Sequence, residues 1–264
     1  MLKVLTLNVW NYEGPWEQRL ALIRRWLTLL SPDLVGFQEI LQGADYNQAD
    51  ELLAGFGYHT EYAGPMNYWN DPSLQFGNLV ASRWPISEAE SVLLPMAGKE
   101  DQRVLVATTI DSPHGPLCFN TTHLSAQSHH GYIREQQVRK IVEVILRRRQ
   151  RGTFPPILCG DFNAVPDSTE MRYLRGLQSL EGTSAYFVDA WQMMHGDQAG
   201  HTFARDNPYL GDRITQSRRI DYILVGKPDG RTGRVQSCDL ACHLPADGVF
   251  PSDHFGLYAE LSTD

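Results

Sequence analysis

Long apolar runs are missing from this sequence: no stretch approaches the roughly 20 residues that a membrane-spanning helix needs. Cysteine is scarce, at four residues, too few for the dense disulfide frameworks of small secreted domains. Cys118 and Cys159 lie in apolar runs and read as small buried hydrophobes. Cys238 and Cys242, with His243 alongside, have no second ligand pair at zinc spacing. Positive charge is also short, 23 Lys and Arg against 31 Asp and Glu for a net charge of −8, which argues against broad, charge-driven binding to nucleic acid. Repeats, low-complexity tracts and linkers are absent. The N-terminus enters a strand pattern, Leu2 to Asn8, without the apolar core and cleavage site of a signal peptide. The expectation is one cytoplasmic domain over residues 1–264; a processed secretory form is compatible with it.

Against those absences stands the stretch Pro155-Pro156-Ile157-Leu158-Cys159-Gly160-Asp161-Phe162-Asn163-Ala164-Val165-Pro166-Asp167-Ser168. An apolar strand closes at Gly160, a residue that admits close backbone approach. Asp161 and Asn163 follow at i and i+2, so an extended backbone turns both to one side and Phe162 back toward the core. Asp167 reads as an N-cap with Glu170 three residues on. An ordinary strand-turn-helix corner has the same look, so the weight falls on the rest of the chain.

Elsewhere strands and helices interleave. Trp16, Leu20, Ile23, Leu27 and Leu30 recur at helical spacing, and Ser31-Pro32-Asp33 stops that helix. Leu34 to Phe37 reads as a strand delivering Gln38 and Glu39. Residues 42–78 hold a short helix over Asp50 to Phe56. Tyr58, Tyr62, Met66, Tyr68 and Trp69 read as a loop packed by its own aromatics, or as a lip stacking on substrate. Asn78 to Ser82 is a strand. Val104 to Ile110 and Leu117 to Thr122 flank Pro/Gly turn chemistry as a hairpin that ends at His123. A helix runs from near Gly131 to Gln150, with Val138, Ile141, Ile145 and Leu146 as its stripe and Gly152 as its stop. The run Arg147-Arg148-Arg149-Gln150-Arg151 tempts toward phosphate binding, but cations at a helix end complement its dipole. Met171, Leu174 and Leu177 point inward from the next helix. Phe187 to Met194 is ambiguous. Arg219 to Val225 and Phe255 to Leu261 are strands. This alternation predicts a single α/β domain.

One feature recurs along it. Apolar strands carry, at an end, one polar residue of metal-binding or acid-base type: Asn8, Glu39, His123, Asp161 with Asn163, and Asp253 with His254. Asp221 sits in an apolar run and needs a partner, because carboxylates are rarely buried unpaired. Oxygen donors such as Asn8, Glu39 and Asp253 suit Mg²⁺ or Mn²⁺ better than zinc. Two histidines beside such an ion supply a base and a donor for attack of water on phosphorus. Ser252-Asp253-His254 is no hydrolase triad, since adjacent residues cannot form that relay. His129 and His130 read as exposed loop residues.

The ordered set Thr6-Leu7-Asn8, Gln38-Glu39, Thr122-His123-Leu124, Gly160-Asp161-Phe162-Asn163, Arg219-Ile220-Asp221-Tyr222 and Ser252-Asp253-His254 resembles the endonuclease/exonuclease/phosphatase superfamily, the deoxyribonuclease I-like fold. The resemblance implies a four-layer α/β sandwich: two mixed sheets packed face to face, helices on both outer faces, and a site at one edge of both sheets. It implies Glu39 as the main metal ligand, with Asn8 and Asp253. His254, paired with Asp221, would be the general base or electrostatic partner, with Asp161 as a rival base. Asp161 and Asn163 would orient water and phosphate, and His123 would donate to phosphate or leaving group. The expected cofactor is Mg²⁺ or Mn²⁺ and the expected partner a phosphoester substrate. The Arg219-Ile220-Asp221-Tyr222 run lacks the Cys-Asp-Arg pattern of the inositol phosphatases. The acidic charge leans toward a small or lipid-headgroup phosphodiester. A Mg²⁺-dependent nuclease on DNA or RNA is the alternative, and a non-catalytic phosphate-binding module is the alternative of another class.

Overall fold

Twelve strands alternate with five helices among the described residues of the computed structural model, which are 1–98, 101–149, 154–228 and 230–264. The strands are β1 (Leu2–Asn8), β2 (Leu34–Gln42), β3 (His59–Asn67), β4 (Gln75–Ser82), β5 (Ile86–Leu93), β6 (Val104–Ser112), β7 (Gly115–His123), β8 (Phe154–Asp161), β9 (Phe187–Asp189), β10 (Asp221–Gly226), β11 (Val235–Ala241) and β12 (Gly256–Leu261). The helices are α1 (Trp16–Leu30), α2 (Gln48–Leu53), α3 (Gly131–Arg148), α4 (Thr169–Leu174) and α5 (Ala190–His195). Two six-stranded sheets result, ordered β11-β12-β1-β2-β4-β3 and β5-β6-β7-β8-β10-β9. Both are mixed: β1 runs parallel to β2 and β7 parallel to β8, within otherwise antiparallel ladders. The four-layer sandwich is the architecture that the resemblance implied.

Side-chain alternation explains the layers. Leu2 and Val4 of β1, Leu117 and Phe119 of β7, Ile157 and Cys159 of β8, and Ile223 and Val225 of β10 meet in the core between the sheets. Leu5 and Leu7 face the opposite way, against Ile23 and Leu27 of α1 and Leu52 and Leu53 of α2. Leu158 and Leu224 likewise face Val138, Ile141 and Ile145 of α3 and Met171 and Leu174 of α4. Extending the inner faces by two or four residues reaches Asn8, His123, Asp161 and Asp221. The four therefore emerge from between the sheets at one end.

Close approach of the two sheets depends on glycine. A Cβ on Gly36 of β2 would stand 2.5 Å from Cys159 Sγ, across the sandwich. At Gly160, φ is +140° and a Cβ would fall 1.9 Å from the Thr122 carbonyl oxygen of the neighbouring strand. The backbone approach expected of Gly160 is thus met.

Several local expectations change. Residues 59–67 are strand β3 rather than loop, because their aromatic and polar residues pair with β4 at the sheet edge. Edge strands β5 and β11 have no apolar run to announce them: Ser87, Glu88 and Ala89 are exposed. Leu146 and Leu177 point to solvent, at 57% and 55% exposure, rather than inward. The cap of α4 is Ser168, not Asp167, and Glu170 is spent on a buried ion pair with Arg134 at 2.6 Å. Asp221 opens β10 instead of lying inside it, and Phe255 precedes β12. His130 is half-buried against Ser125. Arg147 and Arg148 pair with Glu90 and Glu88 of β5, which accounts for those two cations without phosphate. Gln150, Arg151 and the expected stop at Gly152 lie outside the described residues.

Gly160→Ala should destabilise the fold by about 3 kcal/mol or more in urea unfolding, since backbone rather than a side-chain tip blocks the new methyl. Gly131→Ala, whose Cβ would meet nothing nearer than 3.8 Å, should change stability by less than about 0.5 kcal/mol. Equal effects would contradict this reading of the sheet contact.

Candidate metal and phosphate centre

Glu39 reaches the site through a break in register. Phe37 and Ile40 of β2 both pack toward the helical layer, and the β2–β4 register slips between Gln38 and Ile40. Glu39 takes φ +62° as the extra residue, and the bulge aims its carboxylate at the mouth. One oxygen accepts from Asn8 Nδ2 at 3.0 Å and the other from Asn11 Nδ2 at 3.2 Å. Glu39 is partly exposed, while Asn8, His123, Asp161, Asp221, Asp253 and His254 are buried.

Asp161 is the meeting point. Its Oδ2 takes Asn8 Nδ2 at 3.1 Å and lies 3.4 Å from His123 Nε2 and 3.7 Å from His254 Nε2. Its Oδ1 accepts the Asn163 backbone N–H at 2.8 Å. Asn163 stands at φ +49°, so Asp161-Phe162-Asn163 is a tight turn rather than the extended pair expected. The Asn163 side-chain amide donates to the Leu124 carbonyl at 3.1 Å. Phe162 does turn into the core, edge-on to Tyr222.

His254 is the partner that Asp221 required: His254 Nδ1 donates to Asp221 Oδ2 at 2.9 Å. Asp221 is oriented in turn by the chain around Thr202, whose Oγ1 accepts the Asp221 N–H at 3.2 Å. Phe203 lies against the imidazole with centroids 4.8 Å apart.

Burial and neighbouring charge separate the titrating groups. Burial alone would lower the His254 pKa, but the Asp221 and Asp161 charges and the Asp221 hydrogen bond override it and raise it to about 10. Burial raises Asp161 to about 6, assisted by the Asp221 charge. Glu39 is also raised by burial, against the pull of its Asn8 hydrogen bond. Burial, with the positive charges of Arg103 and His254, holds His123 well below the usual imidazole range. At neutral pH one histidine is a cation and the other is neutral.

Among the described residues, ligand-type atoms of Asp161, Asp221 and His254 cluster within 4.8 Å of one another. As an imidazolium, His254 has no lone pair to offer a metal, and its charge offsets one of the two carboxylates in that trio. Donor chemistry therefore favours Glu39, a partly exposed carboxylate with Asp161 beyond Asn8, as the ligand of a hard divalent ion. Asn8 is oriented by the Trp10 N–H on its Oδ1 at 3.0 Å, so it presents its amide NH₂ to Glu39 and Asp161. Asp253 accepts from Ser252 Oγ at 3.4 Å, and its charge is felt at Arg19 and His254.

Sequence reasoning missed the residues that hold the rim. Arg19 is fully buried and spends its guanidinium on the carbonyls of Val9, Trp10, Asn11, Glu13 and Pro251. It ties the loop after Asn8 to the loop before His254. Ser252 Oγ adds a 2.6 Å bond to the Asn8 carbonyl. The available signal was spacing, because Arg19 falls at i+3 from Trp16 and i−4 from Ile23, within the apolar stripe of α1. Asn11, Thr202 and Arg103 carried no such signal.

A family model described as the Endonuclease/Exonuclease/phosphatase family matches residues 5–254. Nocturnin of Xenopus laevis is 29% identical over 264 residues, covering 94% of this chain and 65% of that protein. Human Tyrosyl-DNA phosphodiesterase 2 is 23% identical over 280 residues, covering 98% of this chain and 68% of that protein. The solved human Nocturnin catalytic domain with bound sulfate anion superposes with a TM-score of 0.77 at 22% identity, covering 99% of this chain and 93% of that one. The chain thus spans about two thirds of the length of these curated relatives.

In metal-free protein, ¹⁵N NMR should find His254 doubly protonated until pH nears about 10. Its folded pKa exceeds the unfolded 6.5, so the stability it contributes is complete below pH 6.5 and is lost as pH rises through about 10. Asp221→Asn should move the titration down. A His254 that titrates near neutrality in both proteins would contradict the assigned pairing.

Proposed function

The chain belongs to the endonuclease/exonuclease/phosphatase family, whose members are divalent-metal-dependent phosphoester hydrolases, and on that premise we propose that it cleaves a phosphodiester bond by direct attack of water. The single observation that carries the reading is the convergence of Asn8, Glu39, His123, Asp161, Asp221 and His254 on one mouth between the sheets. The whole chain is read as one catalytic domain, because strands from both of its ends share a sheet.

Glu39 would hold the ion, Mg²⁺ or Mn²⁺ by its oxygen chemistry, with Asn8 orienting the carboxylate and Asp253 the further oxygen donor. When bound, the ion supplies Lewis-acid polarisation of the phosphoryl oxygens. Asp161, raised to about 6, is mostly a carboxylate at neutral pH yet basic enough to take the proton of the attacking water. Asn163 fixes Asp161 through its backbone N–H. His254, an imidazolium held by Asp221, acts as the electrostatic partner of the developing charge rather than as the base. Neutral His123 is placed to donate to phosphate or leaving group from Nε2.

A small or lipid-headgroup phosphodiester is favoured over a polynucleotide by two features. The net charge is −8. A cavity of about 800 Å³ next to Asn11, walled by Tyr12, Trp16 and Tyr46, carries Glu17, Asp45, Glu51 and Asp71 and, among the described residues, no basic one, a lining that would repel a run of phosphates. Four free buried cysteines fit a reducing, cytoplasmic setting. The second reading, a nuclease, draws support from the relative named Tyrosyl-DNA phosphodiesterase 2. It would show as salt-sensitive degradation of DNA or RNA.

Hydrolysis of bis(p-nitrophenyl) phosphate should require Mg²⁺ or Mn²⁺ and cease with EDTA. Glu39→Gln and His254→Ala should each lower kcat/KM by about a hundredfold or more, while exposed Lys227→Ala should leave it unchanged. Equal rates in all four proteins would refute the assignment.

A further inference from the structure

Charge is distributed unevenly around the mouth. On the Glu39 side lies the acidic cavity beside Asn11. On the His254 side a second cavity, of about 490 Å³, carries four arginines, Arg172, Arg175, Arg218 and Arg219, against two aspartates, Asp167 and Asp197. In a chain of net charge −8 this local excess of cations runs against the composition. Three short links join the cavity to the centre. Val165 of its wall stands two residues beyond Asn163. His201, also in the wall, precedes Thr202, which orients Asp221. The Arg218 guanidinium lies 5.2 Å from the centroid of Phe203, and Phe203 in turn packs on the His254 imidazole.

The four arginines differ in what they already hold. Arg219 pairs through Nη1 with Asp189 at 2.9 Å, yet its Nε is buried without an acceptor among the described residues. Arg175 is 9% exposed and bonds only neutral acceptors: Gln192 Oε1 at 2.6 Å, the Pro166 carbonyl at 2.7 Å and the Met171 carbonyl at 3.4 Å. Those bonds fix the guanidinium but leave its charge uncompensated, and a buried cation without a counter-charge costs free energy that an anion would recover. Arg172 and Arg218 are half-buried in the wall, and among the described residues neither guanidinium has an ion pair or a side-chain hydrogen bond. Asp167 and Asp197 are exposed and pair with none of the four. Three positive charges without a counter-ion thus line one hollow beside the catalytic groups.

We propose that this cavity is an anion subsite for a second phosphate of the substrate, so that the substrate is a short phosphodiester bearing one further, terminal phosphate. This rests on the phosphodiesterase reading for the reaction; the anion subsite itself rests on the uncompensated arginines. Planar guanidinium groups match phosphate oxygens in pairs, and Arg175, already fixed in place, loses little freedom on binding. The two flanks then orient the substrate. Its second phosphate goes to the His254 side, and the acidic cavity on the Glu39 side opposes any continued run of phosphates.

Thymidine 3′,5′-bisphosphate and thymidine 5′-phosphate differ by one phosphate, and calorimetric titration of each into Mg²⁺-loaded protein reads the subsite apart from turnover. Wild type should bind the bisphosphate about tenfold or more tightly than the monophosphate, the worth of one charge-assisted contact. Arg172→Gln, which breaks no ion pair, should keep the thermal midpoint and lose most of that preference. Arg218→Gln is the second variant and should do the same, while Lys227→Ala should retain the preference. The p-nitrophenyl esters of the two nucleotides, at the 5′-phosphate, should show the same difference in KM with wild type. Equal affinity for the two nucleotides in wild type, no binding of either, or an intact preference in both folded arginine variants would overturn the proposal. An Arg172-dependent preference with no hydrolysis of either ester would sustain the anion subsite and overturn the hydrolase reading instead.

Discussion

The carboxylate of Asp161 is the constraint around which this molecule closes. Three side chains from other strands or loops, Asn8, His123 and His254, approach one of its oxygens, and the turn at Asn163 binds the second. Asp221 supplies a further carboxylate close by. Like charges in a low-dielectric setting repel strongly, and burial penalises each of them. That arrangement persists because a buried imidazolium lies between Asp161 and Asp221, touching both. The raised Asp161 and the raised His254 are two expressions of one compromise.

The fold serves the compromise geometrically. Packing two sheets face to face brings the inner faces of β1, β7, β8 and β10 to a common end, and alternation alone then presents Asn8, His123, Asp161 and Asp221. Glu39 needs an additional device, the bulge that turns one residue of β2 out of its alternation. His254 comes from a loop, and loops need anchoring. Arg19 and Ser252 supply it by tying the backbone beside His254 to the backbone after Asn8. Polar groups that touch no reacting atom thus hold the His254 loop against the end of β1, its neighbour in the same sheet.

Much of this was legible in the chain. Helix α1 and strands β1, β7 and β8 carry unmixed periodicity, and each polar site residue interrupts or ends an apolar run. The order of those interruptions carried the family resemblance and the sandwich. Edge strands β3, β5 and β11 were not legible, since a strand exposed on one face mixes polar and apolar residues without a clean period. Asn163 was misplaced locally because spacing in sequence presumes a regular backbone, and its positive φ does not appear in composition. Arg103 and Arg19 escaped for another reason. A buried arginine looks like any surface arginine until the carbonyls or anions it serves have been brought to it by distant segments.

The hydrolytic reading rests on one premise, that the mouth at Glu39 and Asp161 collects a cation and a phosphate together. Anomalous scattering from a crystal grown with Mn²⁺ locates the cation directly. The account predicts a single strong peak against the Glu39 carboxylate, at the rim bordered by Asp161 and Asp253. A peak at the acidic cavity of Glu17, Asp45, Glu51 and Asp71, with none at Glu39, would contradict it.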